Sequence, residues 1–344
     1  MKELGVIILN WNGIDLLKNF IPTASRHTVC DRVDLIVADN GSDDESVTWL
    51  RANHPEVKVI ELGENFGFAE GYNRVISQVN YPYVTLLNSD VEVTPEWWKP
   101  LLEFIKDNPD VGAIQPKILS YKDKSRFEYA GAAGGYLDCL GYPYCRGRLF
   151  DVVEKDEGQY DGAPVDVAWA SGACLTMPAE LYNRLGGLDP KFFAHMEEID
   201  LCCRVHNAGY RVCALSDSAV YHVGGASLKQ GDPRKTYLNF RNNLLLLHKN
   251  LTGKTRQKLL FRRRLADTLA IVMYLIKGDI ANMRAIIRAH HDFRQMRQEY
   301  PESAKKDVLL TLPGANHSAI LARYILRKKR IMVSKNQKLE DRNI

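Results

Sequence analysis

Short apolar runs alternate with stretches of helical spacing over the first ninety residues, and this alternation constrains the fold more than any other feature of the chain. Gly5–Leu9 reads GVIIL, Asp34–Ala38 reads DLIVA, Val57–Leu62 reads VKVIEL and Tyr83–Leu87 reads YVTLL. Runs of this kind, rich in β-branched residues and three of them closed by Asn or Asp, predict strands. Ile14–Ala24 and Ala69–Val79 carry apolar residues at helical spacing between them. Ser42, with Glu45 three residues on, predicts a capping box opening another helix. Thr94-Pro95 predicts the start of a further helix reaching Asn108. Apolar strands alternating with helices predict an α/β fold with a mostly parallel sheet, covered on both faces.

Ligands bind such sheets beyond the carboxyl ends of the strands. Asn10, Trp11, Asp39, Asn40, Asn88 and Asp90 stand at those ends. A single Asn or Asp after a strand is explained by turn preference alone; a succession of them points to a binding crevice. Neither GxGxxG after the first strand nor GxxxxGK[ST] is present, which disfavours a dinucleotide enzyme and a P-loop NTPase.

Residues 111–245 are less regular. Val111–Leu119 reads as strand, and 120–165, rich in Gly, Tyr and charge, as an excursion with short hairpins. Pro178–Leu185 and Glu198–Ala208 read as helices, the second closed by Gly209. Val212–Leu215 and Ala219–His222 read as two short strands.

A length of 344 residues favours about two domains, and charge places the boundary. Residues 1–245 hold 24 Lys and Arg against 34 Asp and Glu; residues 246–344 hold 22 against 8. We divide the chain into an α/β domain, 1–248, and a basic, mainly helical region, 249–344. Within that region 249–264 is basic and Leu265–Ile276 is apolar but too short to span a bilayer. Ala319–Met332 combines an apolar face with Arg327-Lys328-Lys329-Arg330. The region predicts either an anchor at anionic inner-leaflet lipid or a helical bundle packed on the catalytic body. It lacks the motifs and interleaved aromatics of a nucleic-acid surface. Seven cysteines, with no CxxC pair and no signal-peptide pattern before them, predict a reduced, cytoplasmic setting.

Two clusters carry chemistry. An acid at Asp90, after a buried strand, can hold a divalent cation that neutralises a diphosphate. Glu197, Glu198 and Asp200 lie between apolar Phe192-Phe193 and Leu201-Cys202-Cys203. Either they are solvated acids favoured at a helix N-terminus, or burial raises a carboxylate into the range of a general base. His222 is a metal-ligand candidate only if the fold brings it to Asp90.

The ordered segments VIILNWNG, LIVADNGSDDES, ENFGFAEGYN, LLNSDVEV, SGACLTMPAELYNRLGGLDPKFFAHMEEIDLCCR, AVYHVGG and RNNLLLL together resemble glycosyltransferase family 2, the inverting nucleotide-sugar transferases of GT-A fold. The branch they are most similar to is the bacterial rhamnosyltransferase-like one, and the likeness covers about 3–248. It implies that Leu9, Trp11 and Asp39 hold the nucleotide base and ribose, and that Asn65, Gly67 and Asn73 lie along the nucleotide sugar. Asn88-Ser89-Asp90 then matches a DxD motif whose first acid is Asn. Asp90 would be its main ligand for Mg²⁺ or Mn²⁺, with His222 completing the metal site. Glu197-Glu198 matches the ED motif; the resemblance implies Glu198 as catalytic base and leaves Glu197 open. Trp169, Ser171, Gly172 and His195 fall on the donor-sugar or acceptor side, and Asp189 and Asp200 are flanking acids.

The implied activity is inverting transfer of one sugar from a nucleotide diphosphate donor, dTDP-rhamnose favoured and UDP-hexose next, to a hydroxyl of a cell-surface glycan or a lipid-diphosphate-linked acceptor. The implied location is the cytoplasm, peripherally at the inner face of the membrane, with the tail as an alternative homodimer interface. The QxxRW motif of processive synthases is absent, and a sugar nucleotidyltransferase would need a Gly-rich basic loop where NWNGID stands. The competing reading is a non-catalytic, degenerate transferase that binds a nucleotide sugar or glycan.

Overall fold

The computed structural model describes residues 2–150, 152–224, 231–300, 306–314 and 320. The opening alternation becomes β1 (Leu4–Asn10), α1 (Ile14–Thr28), β2 (Val33–Asp39), α2 (Ser46–Asn53), β3 (Lys58–Glu61), α3 (Gly67–Gln78) and β4 (Tyr83–Leu87). These are followed by β5 (Val91–Val93), α4 (Trp98–Asp107) and β6 (Val111–Ser120). Thr94-Pro95 lies in the turn before α4 rather than inside it. The capping box does not form: α2 starts at Ser46, and the Ser42 hydroxyl bonds to Asp39 instead.

The excursion contains a four-stranded antiparallel meander, β7 (Gly135–Leu137), β8 (Pro143–Cys145), β9 (Arg148–Leu149) and β10 (Val152–Val153). The chain returns through β11 (Val165–Asp166), β12 (Cys174–Pro178), α5 (Ala179–Arg184), α6 (Glu197–Asn207) and β13 (Arg211–His222). Among the described residues the main sheet runs β11-β13-β6-β12-β4-β1-β2-β3, with β5 paired to β13. β3, β2, β1 and β4 are parallel, β6 and β13 are parallel, and β12 joins these halves antiparallel to both. The two short strands expected near the end of β13 are one strand, with a register shift between Leu215 and Ala219. An irregularity of that kind interrupts the apolar alternation, which is why the sequence reads as two pieces.

β1 shows how the layers arise. Successive side chains of a strand point to opposite faces. Leu4, Val6 and Ile8 therefore enter the core built with α1, α2 and α4, while Ile7 enters the core built with α3, α5 and α6. All four are buried, and burying each aliphatic side chain stabilises by roughly 1.5–3 kcal/mol.

The rest of the described chain is helical: α7 (Pro233–Asn250), α8 (Gly253–Ile276) and α9 (Ile280–Met296). Leu244–Leu247 of α7 pack into the second core, so α7 carries the chain across residue 248 without leaving the catalytic body. Buried Asp267 of α8 ties the helices to the meander: it accepts from Arg263 Nε at 2.8 Å and from Tyr142 Oη at 3.1 Å, and His290 Nε2 of α9 lies 2.9 Å away. The chain order after α9 cannot carry the expectation for Arg327–Arg330, which falls outside the described residues.

Candidate active site at the carboxyl ends of the strands

The turn after β4 places Asn88-Ser89-Asp90 beneath the end of β13. A backbone bond, Val223 N–H to Asp90 C=O at 3.1 Å, joins these two, and Asn88 N–H bonds to Ala173 C=O, just before β12, at 3.0 Å. His222, the last residue of β13, brings Nε2 to 3.1 Å from Asp90 Oδ1 and 3.4 Å from Asn88 Nδ2. Its Nδ1 faces Glu128 Oε2 at 3.5 Å. Burial pulls the imidazolium down, but Asp90 and Glu128 outweigh it and raise His222 to about 10. The condition set by the sequence for His222 is therefore met.

The polar set fits a divalent cation. Asn88 Oδ1 is buried with no hydrogen-bond partner, and an unpaired buried acceptor calls for a donor or an ion. One carboxylate, one amide oxygen and one imidazole are few ligands. That suits an ion which completes its shell with water and substrate phosphate oxygens, as Mg²⁺ does. Among the described residues no cluster of three His, Cys, Asp or Glu encloses a metal on its own.

Across the crevice, Gly172 precedes Ala173 and so stands one residue from the Asn88 contact. A Cβ on Gly172 would lie 3.6 Å from Glu198 Cβ and 4.0 Å from its carboxyl carbon. Burial raises Glu198 to about 7. Glu197 is also raised, by burial and by the neighbouring Glu198. Oε2 of each is shielded and unpaired. The acids are thus partly buried rather than a solvated helix end, although they do begin α6.

The loop before α6 is strained. Phe193, His195 and Met196 all have positive φ, at 65°, 68° and 74°, which costs on the order of 1–3 kcal/mol each. α7 holds it: Asn242 Nδ2 lies 2.8, 2.9 and 2.7 Å from the carbonyls of Phe192, Ala194 and His195. Arg241 Nη2 donates to Lys191 C=O at 3.0 Å and Phe192 C=O at 2.9 Å. Burial and Lys235 depress His195 to about 4, so it is neutral at pH 7.

Other expected residues sit around the crevice with different duties. Trp11 is exposed beyond β1. Leu9 packs on Gly71, whose missing side chain makes room for it. Asp39 accepts from Asn10 Nδ2, Ser42 N–H and the Ser42 hydroxyl, at 3.1, 2.9 and 2.6 Å. Asn65 Oδ1 accepts from Gly67 N–H at 2.8 Å and Asn40 Nδ2 at 3.0 Å, shaping the turn into α3. Asn73 is bound to both backbone groups of Leu188 and to Tyr182 Oη. Trp169 is buried, donating to Tyr136 C=O at 3.0 Å. Ser171 is buried too, its hydroxyl donating to Ala130 C=O at 2.8 Å. The side chains of Asn73, Trp169 and Ser171 are therefore engaged inside the fold. Of that segment Gly172 alone stays half-open. Asp189 and Asp200 share Lys249 Nζ at 2.6 and 2.9 Å, which locks α6 to α7.

Sequence reasoning gave no role to Glu128, Arg241 or Asn242. Glu128 lies in the irregular excursion, where nothing marks it. The Arg241-Asn242-Asn243 run of α7, set directly before Leu244–Leu247, is the one signal: all three side chains are buried together with the leucines.

The sequence pattern of the family described as Glycosyl transferase family 2 matches residues 5–150. The match covers the first part of the chain, through β9. An N-acetylglucosaminyl-diphospho-decaprenol L-rhamnosyltransferase of Mycobacterium tuberculosis is 26% identical over 237 residues, covering 64% of this chain and 75% of its own. A low-salt glycan biosynthesis hexosyltransferase of Haloferax volcanii is 25% identical over 251 residues, covering 71% and 75%. The chain also superposes on the crystal structure of GalNAc-T7 with UDP, GalNAc and Mn²⁺, with a TM-score of 0.60 and 14% identity. That match covers 88% of this chain and 58% of the other, and it shows a shared fold.

Proposed function

We propose that the chain is an inverting glycosyltransferase that moves one sugar from a nucleotide diphosphate donor to an acceptor hydroxyl, with Glu198 as general base. The observation that carries this reading is the placement of Glu198 against Gly172, one residue from the Asn88 contact, so that a shielded carboxylate raised to about 7 faces the crevice holding Asp90 and His222. The match of residues 5–150 to the family 2 pattern and the two transferase relatives support it. So does the exposed ring of Trp11 at the end of β1, free to stack on a nucleotide base.

A hydroxyl is a weak nucleophile at pH 7, so it needs a positioned base, a contribution of about 10²–10⁴-fold. The acceptor oxygen attacks the anomeric carbon from the face opposite the diphosphate. Its bond to that carbon forms as the carbon–phosphate-oxygen bond breaks, and its proton passes to Glu198. A single displacement inverts the anomeric centre. Asp90, Asn88 and His222 would hold Mg²⁺ or Mn²⁺, which when bound stabilises negative charge on the departing diphosphate. Neutral His195, with a shielded and unpaired Nε2, is placed to hydrogen-bond a hydroxyl on the same side.

Rhamnose is the favoured sugar and a lipid-diphosphate-linked sugar the favoured acceptor, by likeness to the mycobacterial relative, and dTDP the favoured carrier, by likeness to a dTDP-rhamnosyl transferase of Shigella flexneri. A membrane-surface position for α8 adds to this. Phe261, Leu265, Leu269, Val272 and Ile276 are exposed along one stripe at spacings of three to four. No described helix is long and apolar enough to cross a membrane.

Calorimetric titration of the full chain with dTDP, UDP, GDP and CDP, each with and without Mn²⁺, tests the proposal. Metal-strengthened binding of one nucleotide is expected. Binding of a nucleotide sugar with no transfer to any acceptor would favour the degenerate, binding-only reading, which rests on Asn88 standing where a carboxylate is usual.

A further inference from the structure

A cavity of about 620 Å³ lies between α7 and α9, outside the crevice described above. Its walls include Arg234, Tyr237 and Arg241 from α7, Arg284 and Arg288 from α9, and Phe193 from the loop before α6. Four guanidinium groups on one cavity repel one another, and the spacing of Arg284 and Arg288 at i, i+4 itself disfavours a helix. The local acids do not cancel them. Asp292 faces Arg288 at 3.4 Å and accepts from Tyr237 Oη at 2.6 Å. Arg241 is engaged with the loop carbonyls. Among the described residues the guanidinium groups of Arg234 and Arg284 form no ion pair with a carboxylate; that of Arg234 lies 5.1 Å from the centre of the Phe193 ring. Such a concentration of planar donors is the chemistry that recognises phosphate oxygens.

Position argues for a substrate anion. The Phe193 ring lies 3.8 Å from where a Cβ on Gly67 would stand, so this wall borders the turn into α3 on the crevice side. Phe193 is also five residues from Glu198, on the loop that Arg241 clamps. We infer that this cavity binds the diphosphate of the acceptor, placing the acceptor's sugar toward Glu198 while the nucleotide's own diphosphate sits at Asp90. The inference rests on the transferase reading and gives that reading a second, separate phosphate subsite.

Inorganic pyrophosphate is the first probe, titrated by calorimetry into the full chain already saturated with the nucleotide it binds, so that the nucleotide subsite is filled. Pyrophosphate is expected to bind, and the double variant Arg234→Gln/Arg284→Gln is expected to weaken it at least tenfold while nucleotide affinity stays within twofold. Farnesyl diphosphate is expected to show the same loss. No pyrophosphate binding by the nucleotide-saturated protein would overturn the inference and leave the transferase reading intact. Failure of any nucleotide to bind would instead count against the transferase reading. Equal pyrophosphate affinity in wild type and variant, with flotation on phosphatidylglycerol vesicles lost in the variant, would overturn it in favour of a lipid-headgroup surface.

Discussion

Gly172 lies directly against Glu198: any side chain at 172 would begin 3.6 Å from the Cβ of the proposed base. That is ordinary van der Waals distance for one added carbon, so Gly172→Ala should fold and retain most activity. Valine adds two further methyl groups in the direction of the carboxylate. Gly172→Val is expected to lower kcat at least tenfold while the melting temperature stays within a few degrees, read by steady-state kinetics beside thermal unfolding.

Raising Glu198 to about 7 has two consequences with opposite signs. The base works as a carboxylate, so kcat should rise with pH and level off above about 7. Stability should run the other way. The unfolded chain ionises this glutamate near its ordinary value of about 4.3, so the folded state binds the extra proton between that value and about 7, and stability falls as pH rises through the window. Glu198→Gln should reduce that slope in denaturant titrations at several pH values, leaving the part that buried Glu197 contributes.

Asn242 supports the strained turn rather than the reacting atoms. Removing its amide takes the side-chain donor from the carbonyls of Ala194 and His195, while Phe192 C=O keeps Arg241. Unsatisfied buried groups cost about 1–3 kcal/mol. Asn242→Ala should lose stability of that order and lower kcat more than nucleotide affinity. Asn242→Asp, which keeps the shape without the donor, should show the same kinetic split; Asn242→Gln is expected to recover part of it.

Removal of divalent metal should weaken nucleotide binding, and His222→Ala should weaken it in the same way by leaving Asp90 and Glu128 without the imidazole between them. The check is calorimetry with EDTA against Mn²⁺ for each protein. Equal nucleotide affinity in all four conditions would remove the metal assignment at Asp90.

Much of this was legible in the chain because local pattern and global fold agree. β1, β2 and β4 are continuous apolar runs, and Tyr83–Leu87 coincides with the strand residue for residue. The acids of α6 and the Asn-Ser-Asp turn were marked by their position after or before apolar segments. What was not legible depends on contacts distant in sequence. Glu128 becomes part of the site only because the excursion folds back beneath His222. Trp169 and Ser171 share a segment with Gly172, yet the first is drawn into the core by Gly135, whose lack of a side chain admits the indole, and the second by Ala130. Ser42 looks like a helix cap, but the Asp39 carboxylate competes for its hydroxyl and wins. The register shift in β13 breaks its apolar pattern, so the sequence shows two short strands, and only the pairing with β6 joins them into one.

The central claim is that Glu198 takes the acceptor's proton in a sugar transfer. Its most direct test compares wild type with Glu198→Gln in two assays on the same preparations: calorimetric binding of the nucleotide sugar, and transfer to acceptor under single-turnover conditions. The account predicts donor affinity within twofold and a transfer rate lower by about 10²–10⁴. Transfer at the wild-type rate by the glutamine variant would contradict it.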